Sequence, residues 1–120
     1  MKRFADTVVL APVGRINHGS AEEFKSALRP HLEQCGSGRD QLVLDLSGVD
    51  YISSAGLRIL MLAKKQTKAQ GGTLVIAELG PVVKEIFEIS KFTVVFEIFP
   101  TVRAALGRIS PAALAIFDAA

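Results

Sequence analysis

Asp45-Leu46-Ser47-Gly48-Val49-Asp50-Tyr51-Ile52-Ser53-Ser54-Ala55-Gly56-Leu57-Arg58-Ile59-Leu60 joins two kinds of periodicity. Leading into it, Gln41 to Leu46 carries Leu42, Val43, Leu44 and Leu46 with almost no alternation, the pattern of a central strand covered on both faces. Beyond the serines, a helix is expected from about Ala55 to Gln70, apolar nearly all round from Ile59 to Ala63 and therefore deeply buried. A buried strand thus runs through a short turn into a helix headed by two hydroxyls. A hydroxyl there either caps the helix, by accepting from an otherwise orphan amide, or is a phosphorylation point whose charge changes what the surface binds. On the residues alone, capping is the better-supported role.

Working outward, Gly71-Gly72 supplies a left-handed stop to that helix, and Thr73 to Ala77 reads as another interior strand. Pro81 opens a further helix at the position where a missing amide costs nothing, with Val82, Val83, Ile86, Phe87 and Ile89 as its core side. Thr93 to Phe96 is expected to be the last strand, extended as far as Phe99, followed by a helix over about Thr101 to Ile109. Upstream, a strand around Arg3 to Ala5 and another from Val8 to Val13 form an opening hairpin, the second made irregular near its end by Pro12. Ser20 and Glu23 have the spacing of a capping box, which starts a helix whose buried stripe is Phe24, Ala27, Leu28, Leu32 and Cys35. Pro30 inside it predicts a kink or break, since an interior proline costs about 3 kcal/mol.

Strands alternating with helices after a hairpin imply an α/β layer fold: a mixed central sheet of about four to five strands with about four helices. The 120 residues suit one domain, expected over residues 1–109. Residues 110–120 form a short apolar helix or tail, expected to pack on the domain, with a partner surface as the alternative. Hydrophobic residues make up 49% and charged ones 22%, and no apolar run approaches the ~20 residues of a membrane span. The first residues lack the apolar segment of a signal peptide, which favours the cytoplasm.

A net charge of +2, with scattered cations, argues against nucleic acid. Single Cys35 excludes an internal disulfide and any multi-cysteine metal site, so neither metal nor cofactor is expected. No GxxxxGK[ST] loop is present, Ser54 lacks a GxSxG elbow, and only His18 and His31 could act as a histidine base. The chain is read as a non-enzyme; the rival of a different class is a nucleotide-binding or hydrolytic enzyme.

The stretch from Leu44 to Leu60 resembles the signature of STAS domains, especially bacterial anti-sigma factor antagonists. The resemblance extends to Gly14-Arg-Ile-Asn-His, to Gln70-Gly-Gly-Thr-Leu and to Pro81-Val-Val-Lys-Glu-Ile-Phe-Glu-Ile-Ser-Lys-Phe, so nearly all of Thr7 to Leu106 takes part. It implies that the serine two residues before Gly56, Ser54, is phosphorylated by a serine protein kinase of the histidine-kinase-like ATPase type that doubles as an anti-sigma factor. The unphosphorylated form would bind that kinase and free a sigma factor, and a PP2C-type phosphatase would restore it. The implied partner surface comprises Asn17, His18, Gly19, Ser53, Ser54, Ala55, Gly56 and Arg58, the last able to screen the phosphate, touch the partner, or simply face solvent.

Two positions depart from the family pattern: Ser53 replaces an acid, and Asn17 replaces the aspartate of the early turn. Both remove negative charge, and Ser53 becomes a second candidate acceptor ranked below Ser54. Within the same fold the alternatives are a stressosome component, a lipid-transport ABC subunit and a secretion regulator.

Overall fold

Hairpin chemistry opens the chain: β1 (Lys2–Phe4) and β2 (Thr7–Leu10) pair antiparallel around Ala5 and Asp6, with Ala5 left-handed at φ 53°. The computed structural model describes every residue, Met1–Ala120. The expected strand over Val8 to Val13 is two strands. β2 stops at Leu10, the chain bends through Ala11–Val13, and β3 (Gly14–Ile16) continues in a different sheet.

α1 (Ala21–Gln34) then runs unbroken through Pro30, against the expected kink or break. Pro30 and Ser26, whose carbonyl loses its amide partner, both lie on the exposed side where water can serve that carbonyl. Burial of Phe24, Leu28 and Leu32, at about 1.5–3 kcal/mol each, outweighs the local cost. Ala27, expected in the buried stripe, is exposed.

The same bend recurs on the central strand. β4 (Gln41–Asp45) is followed by a turn in which Asp45 Oδ1 accepts from Ser47 N at 2.9 Å, and β5 (Val49–Ile52) continues beyond it. β3 and β5 pair parallel in a separate ribbon. α2 (Ser54–Ala69) stops at Gly71, whose φ of +73° supplies the left-handed turn read from the sequence. Leu60 and Ala63 are buried, but Leu62 is 49% exposed, so this helix is not apolar-packed all round.

β6 (Leu74–Ala77) and α3 (Pro81–Ile89) follow as read, but only Val83 and Phe87 of the α3 core side are fully buried; Val82 and Ile89 face outward. Thr93 to Phe96 is not the last strand. Residues Phe92–Val95 form α4, and the strand is the two-residue β7 (Ile98–Phe99). The β-branched run suggested a strand, but Phe92 and Phe96 are buried in an aromatic cluster, with the Phe87 and Phe92 rings 5.6 Å apart and the Phe92 and Phe96 rings 5.9 Å apart. Left-handed Lys91, at φ 63°, reverses the chain between α3 and α4.

The main sheet has order β1-β2-β4-β6-β7, parallel except for β1. On one face Val8, Leu42, Leu44, Leu74 and Ile76 meet α1, α2 and α3. On the other, Val9, Val43, Val75 and Ala77 meet α5 (Val102–Ile109) and α6 (Pro111–Ala119). The last segment does pack on the sheet side: Phe117 meets Phe4 edge to face at 5.4 Å, and Arg103 of α5 makes two 3.0 Å bonds to Asp118. No helix is long and apolar enough to cross a membrane.

Buried Ser110 ties α6 to the hairpin, accepting from Ala113 N at 3.1 Å and donating to Asp6 at 2.7 Å. That hydroxyl, helped by Gln41 and Thr7, holds the Asp6 carboxyl below the usual carboxylate range, and Arg3 does the same to Asp40 through paired 2.9 Å bonds. A depressed carboxyl contributes stability that is complete above its unfolded value, 3.8, and lost as pH falls through the lower folded value. Urea midpoints should therefore separate wild type from Asp6→Asn at neutral pH, and the gap should narrow progressively as pH falls below 3.8.

Candidate functional site

The β3–β5 ribbon carries the candidate residues to one end of the molecule. Gly14 N donates to Gly48 O at 2.8 Å at one end of the pairing, and Ser53 N donates to Ile16 O at 2.7 Å at the other. Because Ile16 is in register with Ile52, the turn beginning at Asn17 and the start of α2 at Ser53 leave the ribbon side by side. The sequence-predicted residues Asn17, His18, Gly19, Ser53, Ser54, Ala55 and Gly56 are thus brought together, and Arg58 follows one turn along α2.

Gly56 sets how closely the helix approaches. A Cβ there would stand 2.7 Å from both Ile16 Cγ2 and Ile52 Cγ1, so only glycine lets the first turn of α2 lie on the ribbon. The two serines then take different environments. Ser53 is 8% exposed, has extended backbone, and accepts from Gly56 N at 3.3 Å, while its carbonyl accepts from Leu57 N at 2.9 Å. It is the helix cap. Ser54 is the first helical residue, is exposed, and makes no side-chain hydrogen bond within the chain.

The neighbouring turn is built differently from the expected capping box. Ser20 makes no side-chain cap bond to α1, and Glu23 does not reach back. Instead Asn17 N donates to Ser20 Oγ and Ser20 N donates to Asn17 Oδ1, both at 3.0 Å, and Ser20 Oγ donates to Arg15 O at 2.7 Å. The reciprocal pair has moved three residues upstream, because the ribbon fixes Arg15 and places its carbonyl where the serine hydroxyl is used. Asn17 thus spends its side-chain oxygen on the turn, while His18 and Gly19 are exposed at its tip.

Arg58 is exposed and in no ion pair. A further feature went unread in the sequence: Arg15 and Tyr51 are cross-strand partners, with the guanidinium 4.6 Å from the ring centroid. Nothing in their spacing signals the pair, since it exists only once β3 and β5 are known to pair in that register.

The STAS domain family model matches residues 1–105, and the chain belongs to the STAS family. A protein of Bordetella bronchiseptica named as an anti-sigma factor antagonist, BtrV, is 41% identical over 92 residues, which cover 77% of each chain. The fold is also similar to the crystal structure of a Thermotoga maritima protein described as an anti-sigma factor antagonist, at TM-score 0.81 and 23% identity over 90% of this chain and 91% of that one. SpoIIAA, described as an anti-sigma factor antagonist in its unphosphorylated form, gives TM-score 0.70 at 17% identity over 87% and 88% of the two chains.

Three substitutions separate these roles by urea denaturation. Gly56→Ala should be destabilised by about 1–3 kcal/mol of overpacking, reduced by up to about 1 kcal/mol of helix propensity. Ser53→Ala should lose about 1 kcal/mol with the cap. Ser54→Ala should stay within about 0.5 kcal/mol of wild type.

Proposed function

We propose that this chain is an anti-sigma factor antagonist in a partner switch, with Ser54 as its phosphorylated residue. The observation that carries the reading is the contrast between the adjacent serines: Ser53 is buried as the cap, whereas the Ser54 hydroxyl is exposed and free of internal bonds. A kinase can reach the second without dismantling the helix start. The resemblance to BtrV supports the same reading.

In this scheme the unphosphorylated chain binds an anti-sigma factor that is also a serine kinase of the histidine-kinase-like ATPase type. Binding frees the sigma factor, and a PP2C-type phosphatase returns the phosphorylated form to service. The docking surface is the ribbon end: His18 and Gly19 at the tip of the Asn17 turn, the exposed Ser54, partly buried Ala55, and Arg58. Exposed Asn17 shapes the turn, and buried Ser53 and Gly56 shape the backbone beneath the surface.

Phosphate adds about −1.5 to −2 charges at neutral pH. At the first residue of a helix the dipole and the unpaired amides favour that anion by about 0.3–2 kcal/mol, and Arg58 lies one turn on, about 5–6 Å away between Cβ atoms. The folded chain accommodates the charge. A partner surface matched to a neutral hydroxyl would have to desolvate it, at several kcal/mol, and about 1.4 kcal/mol is already tenfold in affinity. The switch therefore acts at the interface rather than on stability.

Affinity capture with wild-type, Ser54→Ala and Ser54→Asp baits should recover the anti-sigma kinase on the first two and lose it on the third, with circular dichroism unchanged. Equal recovery on all three, or mass spectrometry placing phosphate on Ser53 instead, would overturn the proposal.

A further inference from the structure

Between α1 and α2 a cleft of about 80 Å³ opens to solvent, room for a single side-chain branch, over Leu28, Leu32, Ile59 and Leu62. Leu62 is the anomaly. It projects half-exposed from a helix whose neighbouring apolar residues are buried or partly buried.

Cations frame this apolar floor on both sides. Lys25 and Arg29 line the cleft from α1, an i,i+4 pair of like charges that weakens the isolated helix. Arg58 and Lys65 flank Leu62 on α2, four residues before and three after, and so share its stripe. All four are exposed, and none is in an ion pair, the chain's pairs being Arg3–Asp40, Arg103–Asp118 and Arg108–Glu97. Ser54, Arg58 and Leu62 follow at four-residue steps, so this stripe is continuous with the serine site.

Several occupants fail one of the two conditions. A second copy of this chain docking by the same face would bring the same four cations and be repelled. A polyanion would match the charge but leave Leu62 and the apolar notch unserved. A helix with an aliphatic ridge and acidic flanks satisfies both, laying its ridge along the groove while its carboxylates meet the two basic lips. We propose that the α1–α2 cleft seats an acidic amphipathic helix of the protein partner, lying along α2 from the Ser54 end and setting one aliphatic side chain beside Leu62. This rests on the docking role assigned to Ser54 and extends that surface along α2.

The probe is the purified protein partner recovered in greatest yield by the wild-type bait, titrated calorimetrically at two salt concentrations. Leu62→Glu and Lys25→Glu/Arg29→Glu should each weaken binding by at least about tenfold, and the charge reversal should flatten the salt dependence. Leu62→Ala, which removes only the apolar contact, should weaken it several-fold. Lys2→Glu/Lys84→Glu changes net charge equally at exposed, unpaired positions outside the cleft and should bind within about twofold of wild type. All substituted positions are exposed, and unchanged thermal melting confirms that each variant is folded.

If the cleft variants bind within twofold of wild type while Ser54→Asp fails, the cleft proposal falls and the serine reading stands. If they weaken while Ser54→Asp binds normally, the reverse holds. Recovery of no protein partner overturns both. Cosedimentation of wild type with phosphatidylglycerol vesicles, lost in Lys25→Glu/Arg29→Glu, would assign the cleft to a membrane surface and overturn the helix.

Discussion

The contact on which the site depends is the one Gly56 makes by having no side chain. With 2.7 Å between a hypothetical Cβ and two isoleucine side chains, the first turn of α2 is pressed onto the β3–β5 ribbon as far as backbone atoms allow. That approach lets Ser53 N reach Ile16 O and lets the Ser53 hydroxyl turn inward to Gly56 N. Once Ser53 is committed, the next residue is directed outward by helix geometry alone, since neighbours in a helix do not share a face. One missing methyl group thus decides which hydroxyl is structural and which is available.

This arrangement keeps the stabilising contacts apart from the exposed hydroxyl. The cap Ser53, the ribbon residues Ile16 and Ile52, and Gly56 are all buried, whereas the Ser54 side chain makes no internal bond. A charge added there meets helix amides and solvent rather than a core, so the fold has little reason to resist it.

What was legible in the sequence was whatever a single segment could express. The unalternating run of β4, the glycine stop of α2, proline at the first position of α3 and the stripe of α1 each state their structure locally. What was hidden depended on distant partners. β3 and β5 are too short to announce themselves, and each gains its strand character from the other. α4 resembles a strand until Phe87 is brought to Phe92. Spacing pairs Ser20 with Glu23, because Arg15 O becomes available to the serine hydroxyl only once β3 is fixed. The serine pair is legible in the sequence, and the family resemblance ranks Ser54 over Ser53 as acceptor; the structure adds the cap bond of Ser53 and the exposure of Ser54.

The two faces of the sheet show where the chain has resolved its electrostatics. On the α5–α6 side, Arg103 is paired with Asp118, Asp6 is bonded to Ser110, and the Glu78 carboxylate accepts from Val102 N at 2.9 Å. The Ser110–Asp6 bond spans 104 residues of sequence and holds the last helix to the hairpin. On the α1–α2 side, four cations surround an exposed leucine with no carboxylate brought to any of them, although Glu22 and Glu33 lie within a turn of Lys25 and Arg29. Surface ion pairs are worth little to a fold, so leaving them unmade costs the chain almost nothing. For an incoming acidic surface the same free charges raise the rate of encounter and fix its orientation. The charges that the fold leaves unpaired are the ones free to meet a partner.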